Sequence, residues 1–269
     1  MLTYLYLDYG GHAKYRRELK YSLISLRAEL GQAPDAQIAV YSDAPLVYRR
    51  WPVTAVGIAD RIKAWSGSGL YYHRIKPEVV RDALTRFAGP VCLLDSDSIV
   101  RPGFHAEVTA KLQAGVVMNV FEKPNPFPPL SGFRCRLPNL GDYRYDVAAS
   151  EMYNSGLIGM QPEHAPVLDD TLAMIDALIG RAKKFPALEQ FALSEVLRLN
   201  GIAIAEVNQS FLHYWQGRRR IYMQAQIEKN LAADWDDLTP PKTWAEMNYW
   251  AIRAYNYYYG ITHALEAFK

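Results

Sequence analysis

The chain has 269 residues, 50% of them hydrophobic, and a net charge of +2. That length buries a substantial core as one large α/β domain, with or without a small appendage. The near-neutral balance argues against a nucleic-acid partner or a polycation that coats membranes, and two cysteines are too few for a disulfide framework.

The opening segment, MLTYLYLDYGG, is apolar but reaches Asp8 at once. It has no basic leader and no small-residue cleavage site, so it reads as a β-strand over 2–8 and not as a signal peptide. No window approaches the apolar length of a bilayer span. The expected location is therefore the cytoplasm, with any membrane association peripheral, at the inner face. Tyr15, Leu19, Leu23, Leu26 and Leu30 recur at helical spacing over 14–30, and Gly31 marks the stop. Gln37 to Tyr41 predicts a second strand, ended by Ser42-Asp43. Pro77 opens a helix over 77–88 that turns Val80, Leu84 and Phe87 inward.

A strand from Pro90 to Leu94 runs straight into Asp95-Ser96-Asp97, and another apolar strand follows at 115–120. Residues 123–147, rich in Pro, Arg and Gly, predict a long loop of the kind that often serves as a lid. Then come a strand over 154–160, helices over 163–180 and 187–200, and a strand over 201–207. Trp244, Met247, Ala251, Tyr255, Tyr258, Ile261 and Leu265 predict a terminal amphipathic helix over 241–268, packed on the body of the protein. Alternating strands and helices argue for a mostly parallel central sheet flanked by helices. Two units are expected: a catalytic domain over 1–220 and a C-terminal helical extension over 221–269.

The informative segment is Val91-Cys92-Leu93-Leu94-Asp95-Ser96-Asp97. Four apolar residues in a row make a strand buried on both faces, as in parallel sheets. Carboxylates at i and i+2 lie on one side of an extended chain. At the carboxyl end of a parallel strand they point into the crevice where α/β sheets bind ligands. Two acids so close repel each other unless a positive charge lies between them, and a divalent cation supplies it while keeping positions open for a diphosphate. Three further segments accompany this one: Tyr72-His73-Arg74-Ile75-Lys76 before it, Tyr153-Asn154-Ser155-Gly156-Leu157 with Glu189-Gln190 after it, and finally His213-Tyr214-Trp215-Gln216-Gly217-Arg218-Arg219-Arg220.

In order and spacing these segments resemble the nucleotide-sugar glycosyltransferases of the GT-A fold, and most closely glycosyltransferase family 8, the glycogenin and lipopolysaccharide galactosyltransferase group. The resemblance covers residues 1–220. It departs from the family at the end, where the His-to-Gly spacing is one residue longer and Arg replaces a Lys-Pro-Trp ending. It implies a Rossmann-like GT-A fold and a hexosyltransferase-like enzyme. The donor would be a nucleotide-diphosphate sugar, with UDP-sugar the family's choice, and the acceptor a glycan, a lipid-linked sugar or a protein.

The resemblance also implies roles. Asp95, Asp97 and His213 would hold Mn²⁺, or Mg²⁺ in its place, which suits two oxygens and an imidazole. Asp8 would meet the nucleobase, Asp95 the ribose, and Arg74 and Lys76 the donor's phosphate or sugar. Gly217 would bring its backbone N–H to the diphosphate. Arg218 and Arg220 would neutralise charge there, for which the planar guanidinium is suited. Asn154 would touch the donor sugar or the acceptor, and Gly156 would permit the turn. Glu189 would be the base of an inverting transfer. In a retaining one, Gln190 would stabilise the developing oxocarbenium centre. Tyr153, Tyr214 and Trp215 are candidate sugar platforms. Two other readings stay open: a haloacid-dehalogenase-like phosphatase, with Asp95 as nucleophile and Asp169-Asp170 as its acidic pair, and a catalytically inactive nucleotide-sugar-binding protein.

Overall fold

The computed structural model describes residues 1–31, 33–124, 130–179, 181, 187–248 and 250–254. In chain order, strand β1 (Leu2–Asp8) leads to helix α1 (Ala13–Leu30), β2 (Ala36–Ser42), β3 (Thr54–Gly57), the short α2 (Ile62–Trp65), α3 (Ile75–Arg86) and β4 (Val91–Leu94). Then follow β5 (Ser98–Val100), α4 (Phe104–Leu112), β6 (Val116–Met118), β7 (Phe121–Pro124), the hairpin of β8 (Arg134–Leu137) and β9 (Gly141–Arg144), β10 (Glu151–Tyr153) and β11 (Leu157–Met160). Helices α5 (Val167–Ile179) and α6 (Leu188–Leu199), strands β12 (Ile204–Glu206) and β13 (Phe211–His213), and helix α7 (Gly217–Asn230) complete the series.

Seven strands form one sheet in the order β3-β2-β1-β4-β11-β6-β12. Every adjacent pair is parallel except the two made by β11, which runs against β4 and β6. The protein is thus a mixed α/β fold with a mostly parallel central sheet. Alternation along each strand divides the core in two. From β1, Tyr4 and Tyr6 join Leu19 and Leu23 of α1 and Phe104 and Val108 of α4 on one face. Leu5 joins Val79 and Val80 of α3, Ile175 of α5 and Phe191 of α6 on the other. Buried on both faces, β1 and β4 read as near-continuous apolar runs.

Chain order reverses direction across the sheet between β1 and β4, since β2 and β3 extend one way and β11, β6 and β12 the other. Ligand crevices in open α/β sheets form at such a switch point, outside the carboxyl ends of the strands. Asp8 ends β1 and Asp95 follows β4, so both reach this edge.

Several expectations need refining. The stretch 123–147 is not a plain loop: it carries the β8–β9 hairpin, whose buried Leu137 and Tyr143 belong to the core. Its residues 125–129 lie outside the described residues. The strand expected over 154–160 begins only at Leu157, as β11; residues 154–156 form a turn, and β10 lies before them. Helix α7 runs through residue 220, the boundary expected between the two units. After it the chain does not resume a helix at 241: residues 241–248 are irregular, and the described part of the helix is 250–254. Trp244, Met247 and Ala251 nonetheless pack inward against Tyr21 and the α7 residues Tyr222 and Met223. The apolar pattern marked which side chains are covered, while Pro240 and Pro241 oppose regular helix there. Tyr255 to Leu265 lie outside the described residues. Among the described residues no helix is long and apolar enough to cross a membrane.

Candidate metal and donor site

The strand pair β5–β13 assembles the candidate metal centre. It is antiparallel and sets His213 opposite Ser98, and the Tyr214 backbone N–H donates to the Asp97 carbonyl at 3.0 Å. A residue more than a hundred positions away is thereby placed beside the Asp95/Asp97 pair. The ligand atoms of Asp95, Asp97 and His213 lie within 4.8 Å of one another. His213 Nε2 is 3.6 Å from Asp95 Oδ2 and 3.4 Å from Asp97 Oδ1.

Asn154 fixes which nitrogen of His213 faces the acids. Its Oδ1 accepts from the Gly156 backbone N–H at 2.9 Å, and its Nδ2 donates to Glu122 Oε1 at 2.7 Å, so the orientation of the amide is settled from both ends. The His213 Nδ1 then donates to that same Oδ1 at 2.9 Å. In the neutral ring with its proton on Nδ1, a bare lone pair on Nε2 faces two carboxylates. That atom is buried and has no hydrogen-bond partner. Three electron-rich atoms converging on one point are mutually repulsive, and a divalent cation between them removes the conflict. The donor set of two carboxylates and one imidazole therefore fits the implied metal. Gly156 makes the approach possible, since a Cβ there would meet His213 Nδ1 at 2.2 Å and Cε1 at 2.3 Å.

Positive charge surrounds the acids. Lys76 Nζ, buried on α3, donates to Asp95 Oδ2 at 2.7 Å and lies 3.9 Å from Glu189 Oε1. Burial pushes this ammonium down, but Asp95 and Glu189 more than reverse it, so it stays charged. Arg220 Nη1 lies 2.9 Å from Asp97 Oδ2. Burial pushes the Asp97 carboxyl up, and His213, Arg220 and Lys76 outweigh that, holding it below the usual range. The share from His213 requires a proton on Nε2; in the metal-holding tautomer Arg220 and Lys76 supply the pull.

Glu189 and Gln190 begin α6 and both grip Ser155. Its hydroxyl donates to Glu189 Oε1 at 3.0 Å, and Gln190 Oε1 lies 3.4 Å from its backbone N. Glu189 Oε2 accepts from the Tyr71 hydroxyl. Gln190 Nε2 donates to Glu122 Oε2 at 2.9 Å. Asp95, Asp97, His213, Asn154, Gly156, Lys76, Glu189, Gln190 and Arg220 thus belong to one connected polar network.

The remaining predicted residues sit elsewhere. Arg74 forms a two-point pair with Asp176, at 2.7 and 3.0 Å, and also binds Glu78, so it braces α3 against α5 and is not drawn to the acids. Asp8 is buried, and its Oδ2 accepts from Arg16, Ser42 and Tyr48. Gly217 opens α7 without a side-chain cap, and Arg218 is exposed. Of the aromatic candidates, Tyr214 is fully buried, Tyr153 packs edge-on against Phe121, and Trp215 is about half exposed, 48%. Asp169 pairs with Arg81, and Asp170 accepts from the Asn139 backbone N–H, so this acidic pair is engaged away from Asp95.

A cavity of about 730 Å³ opens over the carboxyl ends of β1, β2 and β3. Gly10, Gly11, Arg16, Asp43, Lys63 and Tyr72 are among its lining residues. Asp43 Oδ2 accepts from the Gly10 backbone N–H at 2.8 Å, whereas its Oδ1 is buried without a hydrogen-bond partner. Arg16 Nη2 lies 3.9 Å from Oδ1, an ion pair and not a hydrogen bond, so the atom can still accept a ligand's N–H. Asp8 is not one of its lining residues, but it holds Arg16, which is. Sequence reasoning reached Asp43 only as the end of a strand. It passed over Arg16, Glu122 and Tyr71, which carry no motif of their own.

No protein-family model and no curated protein matches the chain. Among solved structures it is similar to the apo structure of WbbM, a bifunctional glycosyltransferase, with a TM-score of 0.45 and 15% sequence identity. The similarity covers 72% of this chain and 37% of that one, so the chain spans little more than a third of WbbM's length. At that level the geometry of the site, and not the neighbour, carries the functional argument.

Proposed function

We propose that the chain is a metal-dependent glycosyltransferase that moves a sugar from a nucleotide-diphosphate sugar, a UDP-sugar, to a glycan, lipid-linked or protein acceptor. The observation that carries this reading is the buried, unpartnered Nε2 of His213, turned toward Asp95 and Asp97 at the carboxyl end of β4. Mn²⁺, or Mg²⁺, held by these three residues would neutralise the charge that grows on the diphosphate leaving group. The base and ribose would lie in the cavity over β1 to β3, with Asp43 Oδ1 accepting a base N–H and Arg16 nearby.

The diphosphate would lie against the start of α7. The first backbone N–H groups of a helix have no partner within it and favour an anion. Arg220, one turn into α7, reaches Asp97 with Nη1 at 2.9 Å, which supports this reading. Gly217 leaves the approach open, and Arg218 adds charge. On the other side, Lys76, Ser155, Glu189 and Gln190 would floor the transferred sugar, and Asn154 would hold His213 while its neighbours meet the sugar.

The test is thermal unfolding of the purified protein with UDP, GDP, ADP, CMP or NADH, each with and without Mn²⁺. A ligand selective for the native state raises the melting temperature by mass action, by about 2.7 kcal/mol of stability at a hundred times its Kd. UDP is expected to raise it only with Mn²⁺, and Asp97→Ala is expected to abolish the shift. Cooperative melting that no nucleoside diphosphate moves, with or without metal, would sink the proposal.

A further inference from the structure

Glu18 lies on α1, far in sequence from every motif of the site, and is only 1% exposed. A carboxylate this deeply buried is costly unless it is fully bonded. Three bonds satisfy it, and all come from α7. Arg220 Nε donates to Oε1 at 2.9 Å and Arg220 Nη2 donates to Oε2, while Gln224 Nε2 donates to Oε1 at 3.0 Å. Burial still pushes this carboxyl up, against the pull of Arg220 and Gln224. The guanidinium also lies over the Tyr15 ring, 4.9 Å from its centroid. Two of its nitrogens are thereby committed to α1, and the third, Nη1, meets Asp97 Oδ2 at 2.9 Å. With Oδ2 occupied in this way, Oδ1 is the Asp97 oxygen left facing His213 Nε2.

We propose that Glu18 is a positioning residue of the metal centre, acting through Arg220. The inference rests on the metal-binding reading of Asp95, Asp97 and His213. Glu18 has two effects. Its two-point grip fixes the plane of the guanidinium, and so fixes which Asp97 oxygen turns toward the metal position. Its charge also balances that of Arg220. The single positive charge is shared between two carboxylates, so Asp97 keeps most of its attraction for a cation. Without Glu18 the whole charge of Arg220 rests on Asp97, and the guanidinium competes with the metal.

Charge balance produces a sign pattern that a merely structural role does not. Glu18→Gln leaves one uncompensated positive charge beside Asp97. Glu18→Gln with Arg220→Gln removes a negative and a positive charge together and restores the balance. The experiment titrates the full-length protein with Mn²⁺ alone and follows the free ion by electron paramagnetic resonance. Glu18→Gln is expected to weaken Mn²⁺ binding about tenfold, in the range typical of residues that orient metal ligands. The double variant is expected to return to within about threefold of the wild type, because the competing charge has gone. Should Glu18→Gln fail to fold, Glu18→Asp keeps the charge but shortens the reach, and is expected to weaken Mn²⁺ binding at least about threefold. A wild-type protein that binds Mn²⁺, with Glu18→Gln or Glu18→Asp binding it equally well, overturns the role of Glu18 alone. So does a double variant as weak as Glu18→Gln. A wild-type protein that binds no Mn²⁺ overturns the metal reading beneath it.

Discussion

Replacing Gly156 by alanine is expected to weaken Mn²⁺ binding about 100-fold while leaving the protein folded. The added methyl carbon would fall 2.2 Å from His213 Nδ1 and 2.3 Å from Cε1, far inside van der Waals contact. Neither neighbour can give way cheaply. His213 sits on β13, whose partner β5 is completely buried, and Gly156 is held by its N–H bond to Asn154 and its carbonyl bond to the Asp95 backbone N–H. The imidazole must therefore swing off Asn154, which undoes both its tautomer and its aim. Overpacking of this kind typically costs about 1–3 kcal/mol, so a modest fall in melting temperature should accompany the loss of metal. The decisive comparison is a cycle with His213→Ala. Once the ring is gone the methyl group has room, so Gly156→Ala should change neither stability nor residual metal binding in that background. Undiminished Mn²⁺ affinity in the single variant would show that His213 is not the third ligand.

The sequence exposed the chemistry of this site better than its scaffold, for a physical reason. Asp95 and Asp97 follow four apolar residues, and a strand buried on both faces has to end at a sheet edge, so the position of the pair followed from local pattern. Asn154, Gly156, Glu189, Gln190 and His213 were legible only as an ordered set. The structure brings that set together because β13 pairs with β5 and α6 starts under the 154–156 turn. Arg74 had the same local signal as Lys76, two residues on. Two residues along a helix turn about 200° away, so Lys76 faces Asp95 while Arg74 faces Asp176 on α5. Nothing in the composition distinguishes those two directions. Glu18 is less legible still: an acid amid the apolar periodicity of α1 reads as a solvated face, and its burial depends on a helix that begins about two hundred residues later. The C-terminal segment errs the other way. Its apolar spacing correctly marked Trp244 and Met247 as covered, but burial against Tyr21 does not require helical backbone.

Lys76→Met is expected to give the largest loss of stability of any single change in the site, about 3 kcal/mol at pH 7, because it strips the partner from the buried Glu189 and the partly exposed Asp95. For a domain of this size that corresponds to a fall in melting temperature of roughly 6–12 °C. Lys76 Nζ lies 2.7 Å from Asp95 Oδ2 and 3.9 Å from Glu189 Oε1, and Glu189 is only 4% exposed. Methionine fills the space of the stem but brings no charge, so the buried Glu189 and the partly exposed Asp95 lose the cation that bridges them. The pH effect follows from Lys76 itself. Against the push of burial, Asp95 and Glu189 hold its ammonium above the usual lysine range. The folded wild type therefore keeps this proton more tightly than the unfolded chain, and the stability Lys76 supplies is lost as pH rises through that raised range. The deficit of the variant should therefore be full at pH 7 and shrink as pH rises past the ordinary lysine range, whereas an ordinary packing defect would keep its size. Mn²⁺ supplies a second discriminating measurement. A cation on Asp95 replaces part of the missing charge, so saturating Mn²⁺ should stabilise Lys76→Met more than it stabilises the wild type. Urea unfolding at several pH values, with and without Mn²⁺, measures both effects. A loss under about 1 kcal/mol at pH 7 would mean that Asp95 and Glu189 do not depend on Lys76, and a deficit independent of pH and metal would assign Lys76 to packing alone.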